Sequence, residues 1–74
     1  KPQSPELFFK VIRAAFGQRR KTLTNALSTA FPELSKDALT AAVTSCGHDA
    51  HIRGERLSTA EFAALADALL PLLS

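Results

Sequence analysis

Arg19, Arg20 and Lys21, followed four residues later by Asn25, form the densest chemistry in this chain of 74 residues. Burying an unpaired cation is costly, so the triplet must face water or an anion. Arg forks match phosphate oxygens two at a time, Lys acts as a point charge, and a carboxamide can bond a backbone group or a base edge. The chemistry open to such a set is the gripping of a phosphate backbone. The charges alone leave two readings standing: a nucleic-acid grip, or a solvated basic turn that binds nothing.

A second cluster, Cys46, His48 and His51, has the form Cys-x-His-x-x-His. A closed structural metal site needs a fourth ligand at its usual spacing, and none is present, so no metal is expected. The expectation is a helix-end Cys packed inward and two loop histidines in water. Cys46 is the sole cysteine, which rules out an internal disulfide and fits a reducing compartment.

Charge is unevenly spread. Residues 1–21 hold six cations (Lys1, Lys10, Arg13, Arg19, Arg20, Lys21) against Glu6 alone, whereas residues 22–74 hold three cations against six carboxylates. An anionic partner would therefore meet the first part of the chain, and Lys10 and Arg13 would extend the basic face.

The elements that must position these groups are helices. The length allows one small domain, near the limit at which a single apolar core suffices, and leaves no room for a nucleotide-binding catalytic domain. With 46% hydrophobic and 22% charged residues the chain is a folded unit. No apolar run approaches the roughly 18 residues of a membrane span, and no signal-peptide pattern is present, so a cytoplasmic protein without membrane partners is expected. The start at Lys1, with Pro2 and Pro5 close behind, reads as a piece excised from a longer protein through a linker.

Ser4-Pro5 is a good helix entrance, and Leu7, Phe8, Val11, Ile12 and Ala15 follow in one stripe. Phe9 and Phe16 extend the apolar arc, and Gly17 offers a left-handed stop. A second helix is expected over about residues 19–30, with Lys21, Asn25 and Ser28 on one side and Leu23, Ala26, Leu27 and Ala30 on the other; Phe31-Pro32 ends it. Ser35 caps a third helix with Leu39, Ala42, Val43 and Cys46 on its core face, closed by Gly47. Residues 48–57 are polar and irregular, anchored by Ile52 and Leu57. Ser58-Thr59-Ala60-Glu61 is a capping box for a fourth helix with Phe62, Leu65, Ala66 and Leu69 inward, fraying near Pro71. Four short amphipathic helices without period-2 alternation define an all-α bundle. A helix-turn-helix reader of DNA is disfavoured, because the third helix is not basic.

Two segments together resemble a known family. Phe16-Gly17-Gln18-Arg19-Arg20-Lys21-Thr22-Leu23-Thr24-Asn25-Ala26-Leu27 is similar to the F-x-x-R-R-K-x-L-x-N-x-L signature that opens the C-terminal helical domain of bacterial rRNA adenine dimethyltransferases, the KsgA (RsmA) family. Arg53-Gly54-Glu55-Arg56-Leu57-Ser58-Thr59-Ala60-Glu61-Phe62 resembles that domain's second signature, R-x-E-x-L-S-x-x-E-F. Gly54 departs from the Ala or Pro frequent there, and His48 stands where an aliphatic residue is usual.

The resemblance implies methyl transfer from S-adenosylmethionine to the N6 atoms of two adjacent adenosines near the end of small-subunit rRNA, during ribosome assembly. It places that chemistry in an N-terminal Rossmann-like domain with a Gly-rich loop and an N-L-P-Y motif, neither of which occurs in this sequence. The chain would then be the accessory domain, inert by itself, with small-subunit rRNA in the pre-30S particle and the catalytic domain as partners. Arg19, Arg20 and Lys21 would contact phosphates, and Asn25 would hold local backbone or reach RNA. Arg53 and Glu55 would brace the loop as an ion pair, or Arg53 would serve RNA. Two alternatives remain: a module that only packs against the catalytic domain, and a related large-subunit rRNA resistance methyltransferase, a weaker match to the cationic signature.

Overall fold

The computed structural model describes residues 3–18 and 20–73. Four α-helices, α1 (Pro5–Gly17), α2 (Leu23–Ala30), α3 (Lys36–Ser45) and α4 (Thr59–Leu73), with one 3₁₀ turn (Gly54–Arg56), make an all-α bundle without a strand among the described residues. Helix α1 is the hub. It packs on α2, on α4 and on the 3₁₀ turn, while α3 closes the bundle against α2 and α4.

Local chemistry sets the helix starts. The Ser4 hydroxyl accepts from the Leu7 N–H at 3.3 Å and the Ser35 hydroxyl from the Ala38 N–H at 3.1 Å, each satisfying an amide that the first turn leaves orphaned. At α4 the capping box is reciprocal: the Ser58 N–H donates to Glu61 Oε1 at 2.8 Å, and the Glu61 N–H donates to Ser58 Oγ at 3.2 Å. Leu57 and Phe62 on either side of that cap are both buried in the core, a hydrophobic staple.

The helix ends differ from one another. At the end of α3 the Gly47 N–H donates to the Thr44 carbonyl and the His48 N–H to the Val43 carbonyl, with Gly47 at φ 88°. This is the paired-bond termination that favours glycine in the left-handed region. Gly17 does not repeat it: it is the last residue of α1 and has no positive φ, and Gln18 forms the cap. Helix α4 does not fray at Pro71 but runs to Leu73. A proline so near the end forgoes one ladder bond, and Leu69 before it and Leu73 beyond it still pack on the core.

Leu7, Val11, Leu23, Leu27, Phe31, Leu39, Val43, Phe62, Leu65 and Leu69 form the centre of one continuous core. The arc of α1 is only partly absorbed by it. Phe9 stays 59% exposed and Phe16 44%, although the Phe16 ring meets that of Phe62 at 5.8 Å. Among the described residues no helix is long and apolar enough to cross a membrane.

Candidate nucleic-acid interface

The second helix starts later than its sequence suggests. Thr22, in extended geometry at φ −63° and ψ 158°, is the N-cap, and its hydroxyl accepts from the Asn25 N–H at 3.3 Å. Arg20 and Lys21 therefore lie ahead of α2, in a turn held by a bond from the Lys21 N–H to the Gln18 carbonyl at 3.0 Å. Arg19, assigned to the same basic triplet, falls outside the described residues. Lys21 is thus not on a helical face with Asn25 and Ser28. The Thr22 cap competes with helical geometry just after Arg20 and Lys21, whose own propensity favours a helix.

This turn is anchored from across the chain. The Leu23 N–H, one of the orphan donors of α2, bonds the Ile52 carbonyl at 2.8 Å, and the buried Thr24 hydroxyl reaches the Ala50 carbonyl at 3.5 Å. The loop over residues 48–53 thereby fixes the direction in which α2 begins.

Electrostatically, the start of α2 stands apart. The positive end of a helix dipole favours an anion, and α1, α3 and α4 each place an acid in the first turn: Glu6, Asp37 and Glu61. Helix α2 has none, and is preceded instead by two exposed cations. Neither Arg20 nor Lys21 pairs with a carboxylate among the described residues. The turn is an uncompensated positive site whose natural complement is an anion.

Two depressions flank α2. A polar pocket of about 260 Å³ beside its start is lined by Thr22, Asn25, Lys36, Thr40 and His51. A larger groove of about 640 Å³ at its other end is lined by Glu6, Phe9, Lys10, Arg13, Ala14 and Ala30. Lys10 and Arg13 are both exposed, and the Lys10 amine lies 4.6 Å from the centre of the Phe31 ring, a cation–π contact that restrains it. The basic groups thus occupy opposite ends of α2, which at eight residues is about 12 Å long.

Lys36 and His51 have no sequence signal tying them to Asn25. They reach its pocket only because α3 and the loop pack beside α2. Arg53 and Glu55 do not form the expected ion pair among the described residues. The bracing there is done by backbone, with the Leu57 N–H on the Gly54 carbonyl and the Arg56 N–H on the Arg53 carbonyl. Arg53, at the cap of this 3₁₀ turn, and Glu55 within it are both exposed.

The two histidines also differ from each other. His51 is exposed, but the His48 side chain is only 10% exposed and brings its Nδ1 to 3.9 Å from Glu61 Oε2, so it is not a solvated loop residue. The terminating turn at Gly47 points it back over the start of α4. Hydrogen bonds from Ser58, its backbone N–H first and then its hydroxyl, with a smaller effect of His48, hold the Glu61 carboxyl below its ordinary value of 4.5. Cys46, His48 and His51 do not converge, and among the described residues no three His, Cys, Asp or Glu side chains gather where a metal could be held.

Fold and site together define a class: a small all-α domain that presents an uncompensated basic turn at a helix start. Similar proteins narrow that class. The chain is 46% identical over 72 residues to the ribosomal RNA small subunit methyltransferase A of Geobacillus thermodenitrificans, a match covering 95% of this chain and 25% of that protein. To the protein of the same name from Streptococcus pneumoniae it is 51% identical over 69 residues, covering 90% of this chain and 24% of that protein. Along nearly its whole length the chain is therefore similar to one segment of these two proteins, and it spans about a quarter of the length of the curated relatives it matches. No protein-family model matches it, and no solved structure does so at a significant level.

Proposed function

We propose that this chain is the C-terminal accessory domain of a cytoplasmic enzyme that dimethylates two adjacent adenosines of small-subunit rRNA, and that it grips the RNA backbone. The observation that carries the reading is the turn at Arg20 and Lys21: two exposed cations at the positive end of α2, with no acid in that helix's first turn to offset them. An RNA phosphate supplies the missing negative charge, through a bidentate Arg contact and a Lys point charge. Arg19 completes the triplet, Asn25 and Lys36 continue it into the polar pocket, and Lys10 and Arg13 extend it to the far end of α2.

S-adenosylmethionine would be bound by the parent enzyme outside these residues. In support, Gly17, Gly47 and Gly54 stand at three separate places in an all-α fold, and none belongs to a Gly-rich loop between strand and helix of the kind that cradles such a cofactor. The catalytic domain and the assembling small subunit are the partners.

The test is binding of the chain to a small-subunit rRNA 3′-end hairpin and to an unrelated RNA, each across a salt series. Affinity should fall with salt by roughly 0.7 to 0.9 log units per log of salt for each neutralised phosphate. Replacing Arg19, Arg20 and Lys21 together by Ala should weaken both RNAs alike while the helical spectrum is kept. Undiminished binding by that variant would sink the grip. Exposed Phe16 and Leu72 favour a second reading, in which the domain only packs against the catalytic domain; absence of RNA binding even at low salt is its signature.

A further inference from the structure

We propose that the groove between α1 and the end of α2 seats one unpaired RNA nucleotide, its base against Phe9 and its phosphates met by Lys10 and Arg13. This rests on the RNA-binding reading above and adds the form of RNA that is recognised.

Phe9 is the most exposed of the large apolar side chains, at 59%. Covering this phenyl ring with a partner would release the free energy of burying it. The ring lines a groove of about 640 Å³, within the size range of small-ligand sites. Ala14 and Ala30 also line it, and their single methyl groups leave room for a flat ring to slide in beside the phenyl.

The charges narrow the occupant. Lys10 and Arg13 stand on the same groove as Phe9, and Lys10 is already steadied over the Phe31 ring. An apolar protein segment would cover Phe9 but leave two cations desolvated and unpaired, which is costly. A partner that is flat and apolar on its face and anionic at its edge satisfies all three, and a nucleotide has that form. Glu6, on the same groove, can accept from the exocyclic amine of a base and would repel a phosphate, so it sets which end of the nucleotide enters. A duplex cannot use the site, because its bases are stacked on each other; only a loop, bulge or end can offer one.

The experiment uses the 74-residue chain and a hairpin with 2-aminopurine in its loop, beside a fully paired duplex of the same composition. Wild type should bind the loop RNA more tightly than the duplex and change the loop fluorescence. Phe9→Leu keeps an apolar side chain but removes the stacking face, so it should weaken loop RNA on the order of 5- to 100-fold and leave duplex binding unchanged, with Phe9→Trp restoring both affinity and fluorescence change. Ala14→Met, which fills the groove while leaving the Phe9 side chain unaltered, should act as Phe9→Leu does and serves if the latter melts early. If Phe9→Leu and Ala14→Met bind loop RNA like wild type while the triple variant at residues 19–21 has lost it, the grip stands and the nucleotide seat is overturned. Equal losses on loop and duplex also overturn it. If wild type binds no RNA at low salt, both readings fall together.

Discussion

Gly54 and Ala15 touch so closely that a Cβ built on Gly54 would stand 2.6 Å from the Ala15 Cβ. Gly54 is buried and has no positive φ, so the glycine is there for space and not for backbone freedom. The contact lets the 3₁₀ turn lie directly on α1.

Gly54→Ala should accordingly destabilise the fold by about 1–3 kcal/mol, the usual cost of overpacking a tight site. Ala15→Gly carries its own helix penalty of about 1 kcal/mol, yet the double variant should recover part of the Gly54→Ala loss. Denaturant melts of the four proteins give the coupling energy. Additive losses would mean that the turn moves off α1 without strain.

Thr22→Asp separates stability from binding. Asp caps a helix about as well as Thr and adds the acid that the start of α2 lacks, so the melting temperature should hold or rise. The same carboxylate would stand beside Lys21 and repel a phosphate. RNA affinity should fall, most at low salt, and unchanged affinity would remove the turn from the interface.

Ser58→Ala should cost about 1 kcal/mol through the lost cap of α4, without changing the salt dependence of RNA binding. A thermal melt and one salt titration check both halves of that statement.

Glu61 sets an acid limit. Its carboxyl binds a proton less readily in the folded chain than at its ordinary value of 4.5, because Ser58 donates to the ionised form. The unfolded chain therefore takes up the proton first as pH falls. The stabilisation is whole above about 4.5 and is lost as pH drops through the lowered native value. Wild type should exceed Glu61→Gln in stability near neutral pH, and the gap should narrow in melts below pH 4.5.

Much of the fold was legible because its signals are local. Ser4, Ser35 and Ser58 each act on an amide within three residues, and the core stripes follow from helical spacing. The start of α2 falls at Leu23, four residues later than helical spacing places it, because part of what holds it is the carbonyl of Ile52, distant in sequence. Helical spacing places Phe9 in an apolar arc wider than the core, and only the packing of α1 against its neighbours decides that it stays exposed. Of the candidate site, Arg20 and Lys21 could be found by composition. Lys36 and His51 could not, since no spacing links them to Asn25 before α3 and the loop are in place.

The bond from the Leu23 N–H to the Ile52 carbonyl has a consequence for what the smallest working unit is. A peptide cut to the α1–α2 hairpin would contain every residue of the basic signature, yet would lack the acceptor that gives the turn its exit direction and the Gly54 ridge on which α1 rests. It would hold the charges as a statistical coil holds them, with their relative positions averaged away. Presentation of the basic turn is a property of the assembled bundle, inherited from a segment some thirty residues downstream that carries none of the signature's own cations.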